Sequence, residues 1–184
     1  MMNKGLVLLF TGTGKGKTTA ALGTALRAAG HGKSSLVIQF LKGRHPSGER
    51  EALKGRPVKI EIVVLPHIEG EGGTARFSIL EESDISETVR QEARKAWEFA
   101  RKKTLSGAYD LVVLDEVTHL IKLGLVSCNE VMELLEERPQ DMDIILTGRD
   151  APAELISRAD LVTEMCEVKH YFQQGIKAKR GLDW

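Results

Sequence analysis

The sequence predicts an α/β fold of three layers, in which helices cover both faces of a mostly parallel sheet. Short apolar runs rich in β-branched residues alternate with longer segments that have helical periodicity. These runs contain few polar residues, which is typical of parallel strands buried on both faces. The predicted strands are residues 6–10, 36–40, 58–65, 111–114 and 144–146.

Two segments between these strands carry helix signals. Residues 18–29 are rich in alanine and end at Gly30-His31-Gly32, a glycine stop signal. Residues 83–105 form the longest predicted helix, in which Asp84 and Glu87 have the spacing of a capping box. Its predicted buried face consists of Ile85, Val89, Ala93, Trp97 and Ala100. We interpret Trp97 as a core residue.

A further helix is predicted before the last strand. Ser127 and Glu130 form a second capping box, and Pro139 follows the helix as a stop signal. Its apolar positions are Val131, Leu134 and Leu135. Because strands and helices alternate without a visible repeat or linker, we expect residues 1–184 to form a single domain.

Composition and charge exclude several classes of protein. Of the 184 residues, 42% are hydrophobic and 28% are charged, which excludes collagen, coiled coils and disordered chains. Lys+Arg and Asp+Glu number 26 each, so we expect neither a nucleic-acid partner nor a membrane partner. The apolar run at 6–10 is too short for a signal peptide or a membrane span. Cys128 and Cys166 have neither zinc-site spacing nor the density of a disulfide framework, which predicts a cytoplasmic location.

A phosphate-binding pattern joins the first predicted strand to the first predicted helix. Its glycines let backbone N–H groups converge on phosphate oxygens, and the helix N-terminus adds positive potential. We expect Lys17 to neutralise the terminal phosphate charge and the Thr18 hydroxyl to bind Mg²⁺. The alternative, a glycine-rich turn with incidental lysines, leaves the agreement of motif, strand and helix unexplained. The pattern consists of Gly12, Thr13, Gly14, Lys15, Gly16, Lys17, Thr18 and Thr19.

This loop is shorter than the usual G-x-x-x-x-G-K-[ST] pattern. Only three residues separate Gly12 from Gly16. Counting from Thr11 restores the length but puts a β-branched residue where glycine normally lies. We therefore expect the triphosphate to lie differently from the triphosphate in ordinary ATPases.

Polar residues also follow two later strands. Asp115 and Glu116 come directly after the strand at 111–114, at the edge where open α/β sheets bind ligands. Mg²⁺ that bridges phosphates needs one or two such carboxylates, and an ordinary helix N-cap is the alternative. Arg149 follows the strand at 144–146, where it either reaches the phosphates or forms a surface salt bridge.

In this order the motifs resemble the P-loop type of ATP:corrinoid adenosyltransferases, which act on cob(I)alamin or cob(I)yrinic acid a,c-diamide. The resemblance covers nearly the whole chain. The short glycine loop together with the Val168-Lys169-His170 segment is its most specific part. The segments that carry it are 12–25, 39–43, 48–50, 113–116, 146–149, 168–171, 175–178 and 181–184.

The resemblance implies a P-loop NTPase-like (RecA-like) fold and an enzyme that transfers an alkyl group. The Co(I) of a reduced corrinoid attacks the 5′ carbon of ATP, and inorganic triphosphate leaves. No general base is needed, because Co(I) is itself the nucleophile. The resemblance also implies ATP held in a reversed orientation, which agrees with the short loop. Its further implications are Mg²⁺, a reductase that supplies Co(I), a homodimer, and a role in adenosylcobalamin biosynthesis or salvage.

The resemblance also implies roles for individual residues. They are Lys17 and Glu116 in catalysis, residues 12–19 with Arg149 in ATP binding, Thr18, Asp115 and Glu116 at the metal, and Lys42, Glu49 and Phe77 at the corrinoid. Family members often carry a Phe-x-Trp pair after the third strand, where only Phe77 could substitute here. The glycine-rich segment 66–76 is predicted to be either a mobile lid or an ordinary surface loop. The chain begins almost at the first strand, so we expect no N-terminal extension over the corrinoid.

Two other functions remain open at this point. A P-loop phosphotransferase or ATPase would release ADP and phosphate, and it calls for a loop of ordinary length with an acceptor or water-positioning site. A non-catalytic nucleotide-binding module or corrinoid carrier would tolerate loss of Lys17 or Glu116, and both residues are present. We interpret His67 and His170 as solvated or core residues rather than cobalt ligands.

Overall fold

The computed structural model describes residues 4–41, 48–65 and 85–183. In this part of the chain six strands form one sheet in the order β3-β2-β4-β5-β1-β6, and neighbouring strands are parallel. The strands are β1 (Val7–Thr11), β2 (Ser35–Phe40), β3 (Ile60–Leu65), β4 (Leu111–Asp115), β5 (Asp143–Thr147) and β6 (Leu161–Glu164). The helices are α1 (Lys17–Gly30), α2 (Gly48–Leu53), α3 (Glu87–Leu105), α4 (Val117–Lys122), α5 (Cys128–Glu137) and α6 (Ala153–Arg158).

Helices cover both faces of the sheet, which confirms the predicted three-layer α/β class. Alternate residues of β4 point to opposite faces: Val113 packs with Ala21 of α1, whereas Leu114 packs with the larger cluster that holds α3, α4 and α5. Trp97 of α3 is only 2% exposed in that larger cluster, so its interpretation as a core residue is confirmed. The two faces of the sheet are thereby covered by helices.

The strand order brings together residues that are distant in the sequence. Strand β5 lies between β1 and β4, and β4 pairs in turn with β2. The register sets Phe10 beside Thr147 and Gln39 beside Asp115. Because the strands are parallel, the carboxyl ends of β1, β2, β4 and β5 all lie at one edge of the sheet.

The helix starts agree with one predicted capping box and correct the other. Ser127 and Glu130 form the predicted reciprocal cap at the start of α5. The helix predicted from residue 83 instead begins at Glu87, and its N-cap is Ser86, whose hydroxyl accepts from the Val89 N–H. Ser86 has the extended backbone that an N-cap requires, so the helix does not start from the predicted Asp84–Glu87 box. Asp84 itself lies outside the described residues.

Strand β6 and the three short helices α2, α4 and α6 were not predicted. All four residues of β6 are exposed, so its sequence lacks the buried apolar run that is typical of the central strands. Strand bounds elsewhere differ from the prediction by one or two residues. Among the described residues, no helix has the length and apolar character needed to cross a bilayer.

Candidate active site

The phosphate-binding pattern forms a tight loop between β1 and α1. Gly12 and Gly16 have φ values of 96° and 109°, in the left-handed region that favours glycine. A Cβ on Gly12 would lie 2.4 Å from the Met165 carbonyl oxygen, so a larger residue does not fit. The loop therefore needs glycine for its backbone shape and also for its close approach to the chain after β6.

Lys17 folds back across this loop. Its ammonium donates to the carbonyl oxygens of Gly12, at 2.6 Å, and Gly14, at 2.8 Å. The side chain is buried. The positive charge of Lys17 therefore lies against the loop backbone that is predicted to bind phosphates.

Thr18 and Asp115 meet across the sheet edge. The Thr18 hydroxyl, at the start of α1, donates to the two Asp115 carboxylate oxygens at 2.9 and 3.1 Å. Asp115, the last residue of β4, is 1% exposed. Two further donors hold the same carboxylate: Gln39 Nε2 of β2 at 3.2 Å and the Thr147 hydroxyl of β5 at 2.6 Å.

Thr147 also fixes the residue after Asp115. Its hydroxyl oxygen accepts from the Glu116 N–H at 2.9 Å. Glu116 has a φ of 65°, and its side chain makes no capping hydrogen bond to α4, so the helix N-cap interpretation explains its position but not its carboxylate. Leu41 and Asp150, with φ values of 54° and 52°, place strained backbone beyond β2 and β5 as well. Strain of this kind collects at functional sites.

No sequence motif predicted a role for Gln39 or Thr147. Both lie in buried strands, where each is 2% exposed or less. A polar residue in an otherwise apolar strand needs a hydrogen-bond partner, and this was the signal in the sequence. The partner, Asp115, could be identified only from the order of the strands.

Lys15 points away from Lys17, towards the C-terminal segment. Its ammonium contacts the Asp183 carboxylate and the Tyr171 hydroxyl. The Gly14 N–H donates to the Met165 carbonyl oxygen at 2.6 Å. The chain beyond β6 therefore forms one side of the loop.

The other predicted site residues are less closely grouped. Arg149 is exposed in the loop after β5, and its carbonyl oxygen accepts from the Thr118 hydroxyl at 2.7 Å. Glu49 is half-buried in the first turn of α2. Lys42, His67, Phe77 and the segment 66–76 lie outside the described residues. His170 caps a short 3₁₀ helix, Tyr171–Gln174, by accepting from the Phe172 N–H.

The donor set at Thr18 and Asp115 fits Mg²⁺. One hydroxyl and one carboxylate are oxygen donors of the kind that Mg²⁺ takes in nucleotide sites, where phosphates and water complete the shell. Among the described residues, no group of three or more His, Cys, Asp or Glu side chains could hold a metal ion alone.

These features define a P-loop nucleotide-binding protein: a three-layer fold with a parallel sheet, and at one edge of that sheet a glycine loop, a buried loop lysine and a Thr–Asp pair. A model of the family described as ATP:corrinoid adenosyltransferase BtuR/CobO/CobP matches residues 3–184. The chain belongs to this family, as the resemblance of its motifs predicted.

Relatives with similar sequences include proteins named corrinoid adenosyltransferase. The chain is 38% identical over 181 residues to the corrinoid adenosyltransferase of Escherichia coli strain K12, a match that covers 98% of this chain and 86% of the relative. It is 37% identical over 186 residues to the corrinoid adenosyltransferase CobA of Salmonella typhimurium strain LT2, with the same coverage of 98% and 86%. Among solved structures, the KaiC-like protein PH0186 from Pyrococcus horikoshii OT3 has a TM-score of 0.49 at 20% identity, over 90% of this chain and 74% of that one.

Proposed function

We propose that the loop at residues 12–19 holds the triphosphate of ATP while the adenosyl group passes to the cobalt of a reduced corrinoid. As a member of its family, the protein is an ATP:corrinoid adenosyltransferase. In this reaction the bond from the 5′ carbon to the triphosphate oxygen breaks and a cobalt–carbon bond forms. Both electrons of the new bond come from Co(I), and triphosphate leaves with the electrons of the broken bond.

The contact between Thr18 and Asp115 carries this assignment. It joins the phosphate loop to the acidic edge of β4 and sets the hydroxyl and the carboxylate side by side. Lys17 lies on the same loop, so its charge can stabilise the triphosphate as negative charge grows on it. Thr18, Asp115 and Glu116 would hold Mg²⁺, which when bound adds further charge stabilisation to the leaving group.

The remaining assignments follow from the family resemblance. Arg149 is proposed to contact ATP, and Lys42, Glu49 and Phe77 to contact the corrinoid. A homodimer, a reductase that delivers Co(I), and a cytoplasmic location belong to the same proposal. The preferred corrinoid is cobalamin or one of its precursors.

The test is an anaerobic reaction with chemically reduced cobalamin, ATP and Mg²⁺, in which Co(I) absorbance is followed and the phosphate product is identified. We expect a light-sensitive adenosylated corrinoid and stoichiometric triphosphate. A parallel reaction with EDTA should lose activity and regain it when excess Mg²⁺ is added. Release of ADP and phosphate with Co(I) unchanged would contradict the proposal and favour a phosphotransferase or ATPase.

A further inference from the structure

The C-terminal segment, residues 165–183, contacts the phosphate loop through the Lys15 side chain. The Lys15 ammonium is paired with the Asp183 carboxylate, and it lies 3.2 Å from the Tyr171 hydroxyl and 3.4 Å from the Leu182 carbonyl oxygen. The same ammonium is 5.6 Å from the centre of the Tyr171 ring, within range of a cation–π interaction. All three polar partners are distant from Lys15 in the sequence, at separations of 156, 167 and 168 residues.

The Asp183 carboxylate is itself held in place. The Tyr171 hydroxyl lies 2.5 Å from both of its oxygens, and the Lys179 N–H donates to it at 2.6 Å. The side chain of Asp183 is 14% exposed, whereas that of Lys15 is 43% exposed. A carboxylate fixed by two donors is a rigid anchor for a long, flexible lysine.

The backbone of the same segment supports the loop at a second place. The Gly14 N–H donates to the Met165 carbonyl oxygen, and the Met165 N–H donates to the Thr11 carbonyl oxygen at 2.9 Å. A Cβ on Gly14 would lie 2.8 Å from the Met165 oxygen and 2.9 Å from the Cys166 oxygen. The loop is therefore packed directly on this segment, and Lys15 ties its outer side to the same element.

We propose that Tyr171 and Asp183 are positioning residues for ATP, which hold the phosphate loop through Lys15 in the shape that receives the triphosphate. A loop ordered in advance loses less conformational entropy when its N–H groups close on phosphate oxygens. This inference rests on the proposed function of the loop, and it assigns to the C-terminal segment an effect on ATP rather than on the corrinoid.

The test uses Asp183→Asn and Tyr171→Phe in the full-length enzyme. We expect KM for ATP to rise about tenfold, the size expected when a hydrogen bond to a charged group is lost. We expect kcat and KM for the corrinoid to stay within about twofold of wild type, since in this proposal the two residues act on the phosphate loop alone. The dissociation constant of inorganic triphosphate, measured without any corrinoid, should rise with KM for ATP. Glu92→Gln, which breaks an exposed ion pair with Lys95 on α3, is the matched control and should change none of these values.

A double-mutant cycle tests whether Asp183 acts through Lys15. Lys15→Met already breaks the contact between residues 15 and 183, so adding Asp183→Asn to it should weaken triphosphate binding no further. Additive losses would overturn the proposal, as would variants that lower the melting temperature but keep wild-type KM for ATP and triphosphate affinity. Failure of the wild-type protein to bind ATP or triphosphate would instead refute the proposed function of the loop.

Discussion

The Thr147 hydroxyl donates a hydrogen bond to the Asp115 carboxylate from the neighbouring strand, at 2.6 Å. The same hydroxyl oxygen accepts from the N–H of Glu116, whose backbone lies in the left-handed region. One side chain therefore orients both acidic residues at the end of β4. Thr147 itself is fully buried, so its place in the site is structural and it need not contact a substrate.

Replacing Thr147 with valine removes this hydroxyl at nearly constant volume. We expect adenosyl transfer to fall at least about tenfold, because Asp115 loses a donor and the Glu116 N–H loses its acceptor. The matched control is Thr104→Val in α3, where the buried hydroxyl has no hydrogen-bond partner within the described structure. The control should keep full activity and equal or higher stability. Equal activity in both variants would show that Thr147 does not organise the site.

Lys17→Ala should abolish activity while the protein remains folded. The lysine charge stabilises the leaving triphosphate in our proposal, and its loss should lower kcat about a hundredfold or more. Circular dichroism and the melting temperature should show a folded protein. Lys102→Ala, an exposed residue near the C-terminus of α3, is the control, since α3 leads back to the opposite edge of the sheet. Wild-type turnover by the Lys17 variant would remove the role that we assign to this side chain.

Gly148→Ala should destabilise the turn after β5. Gly148 has a φ of 141°, and an added Cβ would lie 2.0 Å from the Thr118 hydroxyl oxygen. Because Thr118 is fully buried and bonded to the Arg149 carbonyl oxygen, it has little room to move. We expect a loss of about 1–3 kcal/mol in the free energy of unfolding, measured in urea.

The matched control for this glycine is Gly23→Ala in α1. A Cβ there meets no atom within 4 Å, and alanine is the better helix former. The control should raise the free energy of unfolding by about 0.5–1 kcal/mol. Equal effects at the two positions would contradict the close contact with Thr118.

Asp110 makes the stability of the fold sensitive to acid. The Ser34 N–H, at 2.7 Å, and the Ser34 hydroxyl, at 2.8 Å, lower the pKa of the Asp110 carboxyl below its usual value of 3.8. Because the pKa is lower in the folded state, this carboxylate stabilises the fold fully above the unfolded pKa. The contribution is lost as the pH falls through the folded pKa.

Urea unfolding of the wild type and Asp110→Asn over a range of pH checks this sign. The wild type should be more stable at pH 7, and the difference should shrink as the pH falls below about 4. Asp141→Asn, at an exposed position before β5, controls for the change in net charge. A stability difference between the two proteins that stayed constant over the whole pH range would show that the charge of the Asp110 carboxylate does not stabilise the fold.

Much of the fold and part of the site could be predicted from local sequence. The apolar runs predicted five of the six strands in the described sheet, and Ser127 with Glu130 predicted the start of α5, because apolar periodicity and capping depend on residues close together in the chain. Strand β6 was missed because its residues are exposed. The glycine loop, Lys17, Thr18 and the two carboxylates were found because each follows a predicted strand.

By itself, the sequence determined the three-layer class, the phosphate loop and the family. The tertiary structure alone decided which distant side chains meet there. The insertion of β5 between β1 and β4 sets Thr147 against Asp115, and the return of the C-terminal segment to the loop sets Asp183 against Lys15. Neither pairing has a local signature, because the order of the strands and the path of the final segment depend on packing of the whole sheet.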